Sequence, residues 1–381
     1  MSPKFRDIPL NVIDPPFNSK LMDSLMELNH LRRLQLHGTT KPWIFFQLKK
    51  LFHLLESVGS ARIEGNRTTI SEYIEQKLED AERSSERFSE IANVEEAMEH
   101  IENSVDAESE ISHTLIRELH QLTVRSLDEE GDKTPGAYRT WKVRIAKSKH
   151  VPPEHLKVQE YMNGLIEFIN ANHDSKYDLI KIAIAHHRFA WIHPFGNGNG
   201  RVVRLLTYAL LIKYGFKVKD GQLLNPTAVF CNDREKYYEE LATADEGSEQ
   251  AIMQWTEYVL SGICSEISKV NKLLDHNYLA KHLLKPAIVT SRERGLINKE
   301  EEAILKMGVE EQSFKAANIK KILPRLTARQ RTYLIAKLKD NKMIQPFSNS
   351  SREYFVNFTN SYLIRALIQK LESEKFVPSI N

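Results

Sequence analysis

Two apolar helices joined by a histidine and a run of glycines constrain this 381-residue chain more than any other feature. From Tyr177 to Ile192 (YDLIKIAIAHHRFAWI) apolar residues recur at helical spacing with no interior Gly or Pro, so the segment reads as a buried helix. Pro194 disfavours helical geometry at His193, so that helix stops there and presents the imidazole at its end. Val202, Val203, Leu205, Leu206, Ala209, Leu210 and Leu211 continue a second helix, which Gly215 caps. Between them, Gly196-Asn197-Gly198-Asn199-Gly200 lets backbone N–H groups turn inward at a helix N-terminus. That is an anion site, and Arg201 and Arg204 strengthen it. A histidine able to take a proton supplies the other half of a phosphate-transfer site.

The run His193-Pro194-Phe195-Gly196-Asn197-Gly198-Asn199-Gly200-Arg201, closed by Arg204, resembles the signature of the Fic (Fic/Doc, Fido-domain) family, His-x-Phe-x-Asp/Glu-Gly-Asn-Gly-Arg-x-x-Arg. Every specified position matches except Asn197, where the family has an acid. The resemblance implies a mainly α protein, a Fic-type helical bundle with a β-hairpin flap. The activity it implies is a nucleotidyltransferase, a protein adenylyltransferase moving AMP from ATP to a Ser, Thr or Tyr hydroxyl of a target protein. It assigns His193 as general base and Asn197, Gly198, Asn199, Gly200, Arg201 and Arg204 as ATP and phosphate contacts, with Asn197 also at the Mg²⁺ position. An amide oxygen can coordinate Mg²⁺, but without the carboxylate's charge, so weaker affinity is expected.

Further stretches fit the same resemblance. In Ser60-Ala61-Arg62-Ile63-Glu64-Gly65, Ser60 and Glu64 share one helix face and Gly65 is a natural cap. This resembles the family's inhibitory motif, which implies that Glu64 enters the site and pairs with Arg204 in place of the γ-phosphate. Val143, Arg144, Ile145 and Ala146 read as part of a short hairpin ended by Pro152 and Pro153. It resembles the family's flap, which clamps a target segment as an added strand. Tyr237 and Tyr238 resemble the paired tyrosines that line the nucleotide base, and Asp245 sits where relatives often carry Asn.

Length suggests two or three domains. The expected organisation is an N-terminal helical region over 1–100 with the inhibitory motif, a catalytic core over 101–265, and a C-terminal winged helix-turn-helix over 286–381. In that last module three short helices (Glu300–Met307, Phe314–Leu323, Thr327–Asp340) precede two strands around Ser348-Asn349-Ser350-Ser351. Arg329, Arg331, Lys337 and Lys339 on the third helix suit phosphate contacts, so the module either binds DNA or packs on the core or on another subunit of a homodimer. A net charge of +2 implies no bulk attraction to nucleic acid or membrane. Two cysteines are too few for a disulfide framework, and the N-terminus lacks an apolar h-region, so a cytoplasmic location is expected. Three other readings stay open: transfer of another phosphate-containing group, removal of AMP from a modified target, and a winged-helix regulator that uses the Fic core as a sensor.

Overall fold

The structure, a computed structural model, describes residues 5–33, 38–78, 85–145, 148–218, 228–348, 351–359 and 361–377. In chain order the elements begin with α1 (Lys20–Leu31), α2 (Pro42–Glu64), α3 (Ile70–Leu78), α4 (Glu86–Ser104), α5 (His113–Val124) and α6 (Val158–Asn170). Then come α7 (Asp178–Ile192), α8 (Asn199–Lys213), α9 (Ala228–Cys231), α10 (Arg234–Ala244), α11 (Glu249–Leu274), α12 (His276–Leu279) and α13 (Lys285–Glu293). The chain ends with α14 (Lys299–Glu311), β1 (Phe314–Lys315), α15 (Ile319–Ile322), α16 (Ala328–Asp340), β2 (Ile344–Pro346), β3 (Glu353–Val356) and α17 (Ser361–Ser373). No helix among the described residues is long and apolar enough to cross a membrane.

The chain divides into two compact units. One comprises Met1–Gln35, His53–Thr68 and Glu82–Ser268; the other comprises Leu36–Phe52, Thr69–Ala81 and Lys269–Asn381. The segment 1–100 therefore contributes to both units and forms none of its own. The first unit is built on α7 and α8. Nearly every residue of both helices is buried, as expected of helices that are apolar all round, and α4, α5 and α6 pack against them. Trp255 of α11 is fully buried here, and its indole N–H donates to the Ala183 carbonyl at 2.7 Å.

The charged stretch from Thr69 past Glu90 reads as one solvated helix, but two helices cover it. α3 ends at Leu78 and α4 starts after its N-cap Ser85. Within α4, Glu90 is buried, because Arg201 of α8 gives it a partner.

In the second unit, β1, β3 and β2 form one antiparallel sheet in that order, with Phe314 opposite Tyr354 and Ile344 opposite Val356. The helix expected over Phe314–Leu323 instead opens with strand β1. Buried Phe314 takes a place opposite Tyr354, and helical turns begin only at Ala316. Thr327 caps α16 through a capping box with Gln330. Lys337, expected at a phosphate, is 2.6 Å from the buried Glu301, which fixes it within the unit.

Candidate active site

The C-terminus of α7 and the N-terminus of α8 meet in the loop that carries the histidine. His193 takes φ 50° and ψ 62°, a left-handed conformation that costs a non-glycine residue. Its backbone N–H still closes the helix on the Phe189 carbonyl at 3.0 Å. The strain is held in place by Arg139, which is 2% exposed. The Arg139 guanidinium donates to the carbonyls of His193 at 2.8 Å, Pro153 at 2.8 Å, Trp141 at 3.0 Å and Ile192 at 3.3 Å. The Arg139 backbone N–H donates to Pro194 at 2.8 Å. Burial lowers the Arg139 pKa to about 10. Burial first, then the Arg139 charge, pushes the His193 imidazole down to about 4, while a bond to the Ala190 carbonyl opposes the shift. At neutral pH the imidazole is therefore uncharged, the state a proton acceptor needs.

The rest of the loop is braced from within. Phe195 N–H donates to Asn199 Oδ1 at 2.9 Å, and Asn199 Nδ2 returns a bond to the Phe195 carbonyl at 3.0 Å. The Asn199 side chain is thus spent on the loop, and its expected phosphate contact is left to backbone groups. Phe195 stacks on His120 at 3.8 Å between ring centres. His120 Nδ1 accepts the Gly136 N–H and its Nε2 faces the Asn197 carbonyl at 3.2 Å. Burial pushes this imidazole to about 4 as well. Gly198 caps α8 at φ 72°, where a side chain would be strained and a Cβ would meet Val124 at 2.8 Å.

Over the first turn of α8 sits Glu64, the last residue of α2. Its Oε1 is 2.8 Å from Arg204 Nη2, and a Cβ built on Gly200 would collide with that same oxygen. Ser60 completes the grip: Arg204 Nε donates to its hydroxyl and Nη2 to its carbonyl, both at 2.9 Å. Arg204 Nη1 is buried with no hydrogen-bond partner among the described residues and would lie 3.3 Å from a Cβ on Gly200. Burial works to raise the Glu64 pKa, but Arg204, Arg201 and Arg234 together outweigh it and hold the carboxyl below its usual range. Ser60, Glu64, Gly200 and Arg204 therefore lie together.

Arg201 turns its guanidinium to other partners, although its charge still acts on Glu64. It is fully buried, 3.1 Å from Glu90 Oε1, and donates to the Glu130 carbonyl at 2.8 Å. The tyrosine pair divides. Tyr237 is buried, with its hydroxyl 2.8 Å from His186 Nε2 among core aromatics, whereas Tyr238 is 43% exposed beside Arg234. Asp245 faces His187 Nε2 of α7 at 3.0 Å and His150 Nδ1 at 4.0 Å. The hairpin expected at the flap has no strand ladder among its described residues: Val143, Arg144 and Ile145 are irregular, and Ala146 lies outside the described residues. A strand pair needs facing donors and acceptors. Here Arg139 draws in the carbonyls on both sides of the segment, Trp141 and Pro153.

Asn197 does not suit a protein-held Mg²⁺. Its Oδ1 accepts the Gly198 N–H at 2.7 Å and its Nδ2 donates to the Gly131 carbonyl at 3.2 Å. The nearby carboxylate, Asp132, is buried and already accepts from the N–H groups of Asn197 and Thr134, each at 2.9 Å. Among the described residues no group of three or more His, Cys, Asp or Glu could hold a metal ion.

Sequence reading missed Arg139, Asp132, Glu90 and Arg234.

Residues 110–211 match the family model described as Fic/DOC family. The chain is 31% identical over 193 residues to a protein adenylyltransferase Fic of Nematostella vectensis, covering 49% of this chain and 42% of that one. It is 32% identical over 200 residues to a protein adenylyltransferase Fic of Drosophila virilis, covering 51% and 38%. The alignments span about two fifths of the length of these curated relatives. Among solved structures, a Fic family protein from Desulfovibrio desulfuricans G20 matches 91% of this chain and 98% of its own, with TM-score 0.55 and 19% identity. A Fic domain containing signaling protein from Bacteroides thetaiotaomicron VPI-5482 covers 67% and 97%, with TM-score 0.54 and 19% identity. At such identities the likeness is one of fold.

Proposed function

We propose that the chain transfers AMP from ATP to a Ser, Thr or Tyr hydroxyl of a target protein, and that Glu64 holds this activity down. One observation carries the reading: an internal carboxylate occupies the anion position over Gly200 and takes the arginine that a nucleotide would need. The names of the curated relatives support AMP as the group transferred.

In the reaction, ATP lays its phosphates over the first turn of α8, and Glu64 withdraws so that Arg204 can hold the terminal phosphate. The neutral His193 takes the proton of the target hydroxyl, with its ring kept in position by the Ala190 carbonyl. The hydroxyl oxygen bonds to the α-phosphorus, and the bond from that phosphorus to the bridging oxygen breaks. Diphosphate leaves with the negative charge, which Arg204 and the helix N–H groups stabilise.

A second reading rests on the ionised Glu64, whose side chain is 25% exposed: with Glu64 in place it orients a water that removes AMP from a modified target. Mass spectrometry after incubation with α-labelled and γ-labelled ATP separates the outcomes. Retained α-label on protein supports AMP transfer, retained γ-label alone indicates phosphate transfer, and loss of AMP from a pre-modified target indicates the reverse activity.

A further inference from the structure

The α7–α8 hairpin has a second end. About 20 Å from the loop of His193, by the rise of a 15-residue helix, the first turn of α7 and the last turn of α8 border a cavity of about 520 Å³. Arg32, Arg33, Lys181 and Lys213 line it, and among the described lining residues Asp178 alone carries a carboxylate. That carboxylate is taken, at 3.1 Å from Arg32 Nη1.

Lys181 is the informative member. It is 2% exposed on a helix that is buried nearly all round. Its Nζ donates to the Ala171 carbonyl at 2.9 Å and lies 5.4 Å from the centre of the Tyr214 ring. Lys213 likewise donates to a carbonyl, that of Ser109, at 2.7 Å. An ammonium has three donors, so the one carbonyl bond given for each lysine does not use up its donors. Burial lowers the Lys181 pKa, Asp178 opposes that, and the Lys213 charge adds to the fall. Four cations around one engaged carboxylate repel one another in a concave, partly desolvated space, and a multiply charged anion would offset that repulsion. Guanidinium forks and ammonium points of charge are the usual recognition set for phosphate oxygens.

We infer that this cavity binds a phosphate-type polyanion, either free diphosphate or the phosphate tail of a nucleotide, independently of the site at His193. The test is calorimetry of the full chain at low salt with inorganic diphosphate and, separately, with ADP. Wild type binds diphosphate, Arg204→Gln binds it within threefold of wild type, and the double variant Arg33→Gln/Lys213→Gln binds at least tenfold more weakly. ADP losing affinity through the same double variant identifies a nucleotide tail as the source; ADP unaffected by it identifies free diphosphate. Should the double variant fail to fold, hydrogen exchange of wild type keeps the test: diphosphate protects amides of 170–181 and 213–215. Absence of diphosphate binding by wild type overturns the inference, and so does binding lost in Arg204→Gln but kept in the double variant. In either case Lys181, Lys213 and Arg32 serve only to satisfy the carbonyls of Ala171, Ser109 and Tyr214.

Discussion

Glu64 and Arg204 meet at 2.8 Å across 140 residues of sequence, directly over Gly200, where a methyl group would strike the same carboxylate oxygen. The pair thus sets a carboxylate of the chain itself over the start of α8. Gly200→Ala should expel Glu64 without restoring activity, because the methyl then occupies the phosphate cradle. Losing this partly buried pair should cost about 1–3 kcal/mol. Thermal melting of Gly200→Ala checks this, and a melting point equal to wild type would mean that the carboxylate is not seated there.

Arg139 should matter to catalysis more than to nucleotide affinity. Arg139→Lys cannot serve the four carbonyls that the guanidinium binds, so the left-handed turn at His193 relaxes. In a Glu64→Gly background we expect the rate of AMP labelling to fall by about 100-fold, the scale for a catalytic group displaced by about 1 Å. The Kd for ATP should stay within about threefold. An unchanged rate with weakened ATP binding would make Arg139 part of the nucleotide pocket.

The pH dependence follows from His193, whose pKa falls from an ordinary value of 6.5 to about 4. Between these values the unfolded chain gains a proton that the folded imidazole refuses, so stability drops as pH falls through that window. His120, also brought to about 4, acts in the same direction. Labelling by Glu64→Gly should stay level from pH 7 to about 5 and lose its base only near or below 4, since removing Glu64 takes away a charge that favours the protonated ring. An acid limb near 6.5 in kcat/KM would show that the imidazole is not desolvated.

The contiguous parts of this site were legible in the sequence. His193, the glycine turn and Arg204 lie within one dozen residues, and Pro194 and Gly198 announce the helix end and the new start by backbone chemistry alone. Glu64 was legible only through a family resemblance, because its spacing from Ser60 says nothing of a partner 140 positions later. Arg139, Asp132 and Glu90 were illegible for the same reason: each acts on a residue more than 50 positions away, with no periodicity to mark it. Glu90 misled because a glutamate in a charged helix reads as solvated until Arg201 is seen beside it. Tyr237 and Tyr238 look alike in sequence, yet α10 turns one into the core and the other outward.

At position 197 the amide is bound on both sides, by Gly198 N–H and the Gly131 carbonyl, with the Asp132 carboxylate beside its own backbone. Asn197→Asp should therefore lose the Gly131 bond and set two carboxylates close together, lowering the melting temperature in EDTA by several degrees, on the order of 1–2 kcal/mol. Added Mg²⁺ should restore part of the loss in this variant and leave wild type unchanged. A wild-type melting point that rises equally with Mg²⁺ would show that the native residues already hold the ion.

We propose above all that Glu64 holds closed a site that transfers AMP. Incubation of wild type, Glu64→Gly and Glu64→Gly/His193→Ala with α-labelled ATP tests it most directly. Glu64→Gly should label protein at least tenfold more than wild type, because Arg204 and the cradle over Gly200 are released, and the second substitution should abolish the label. Equal labelling of wild type and Glu64→Gly would contradict the account.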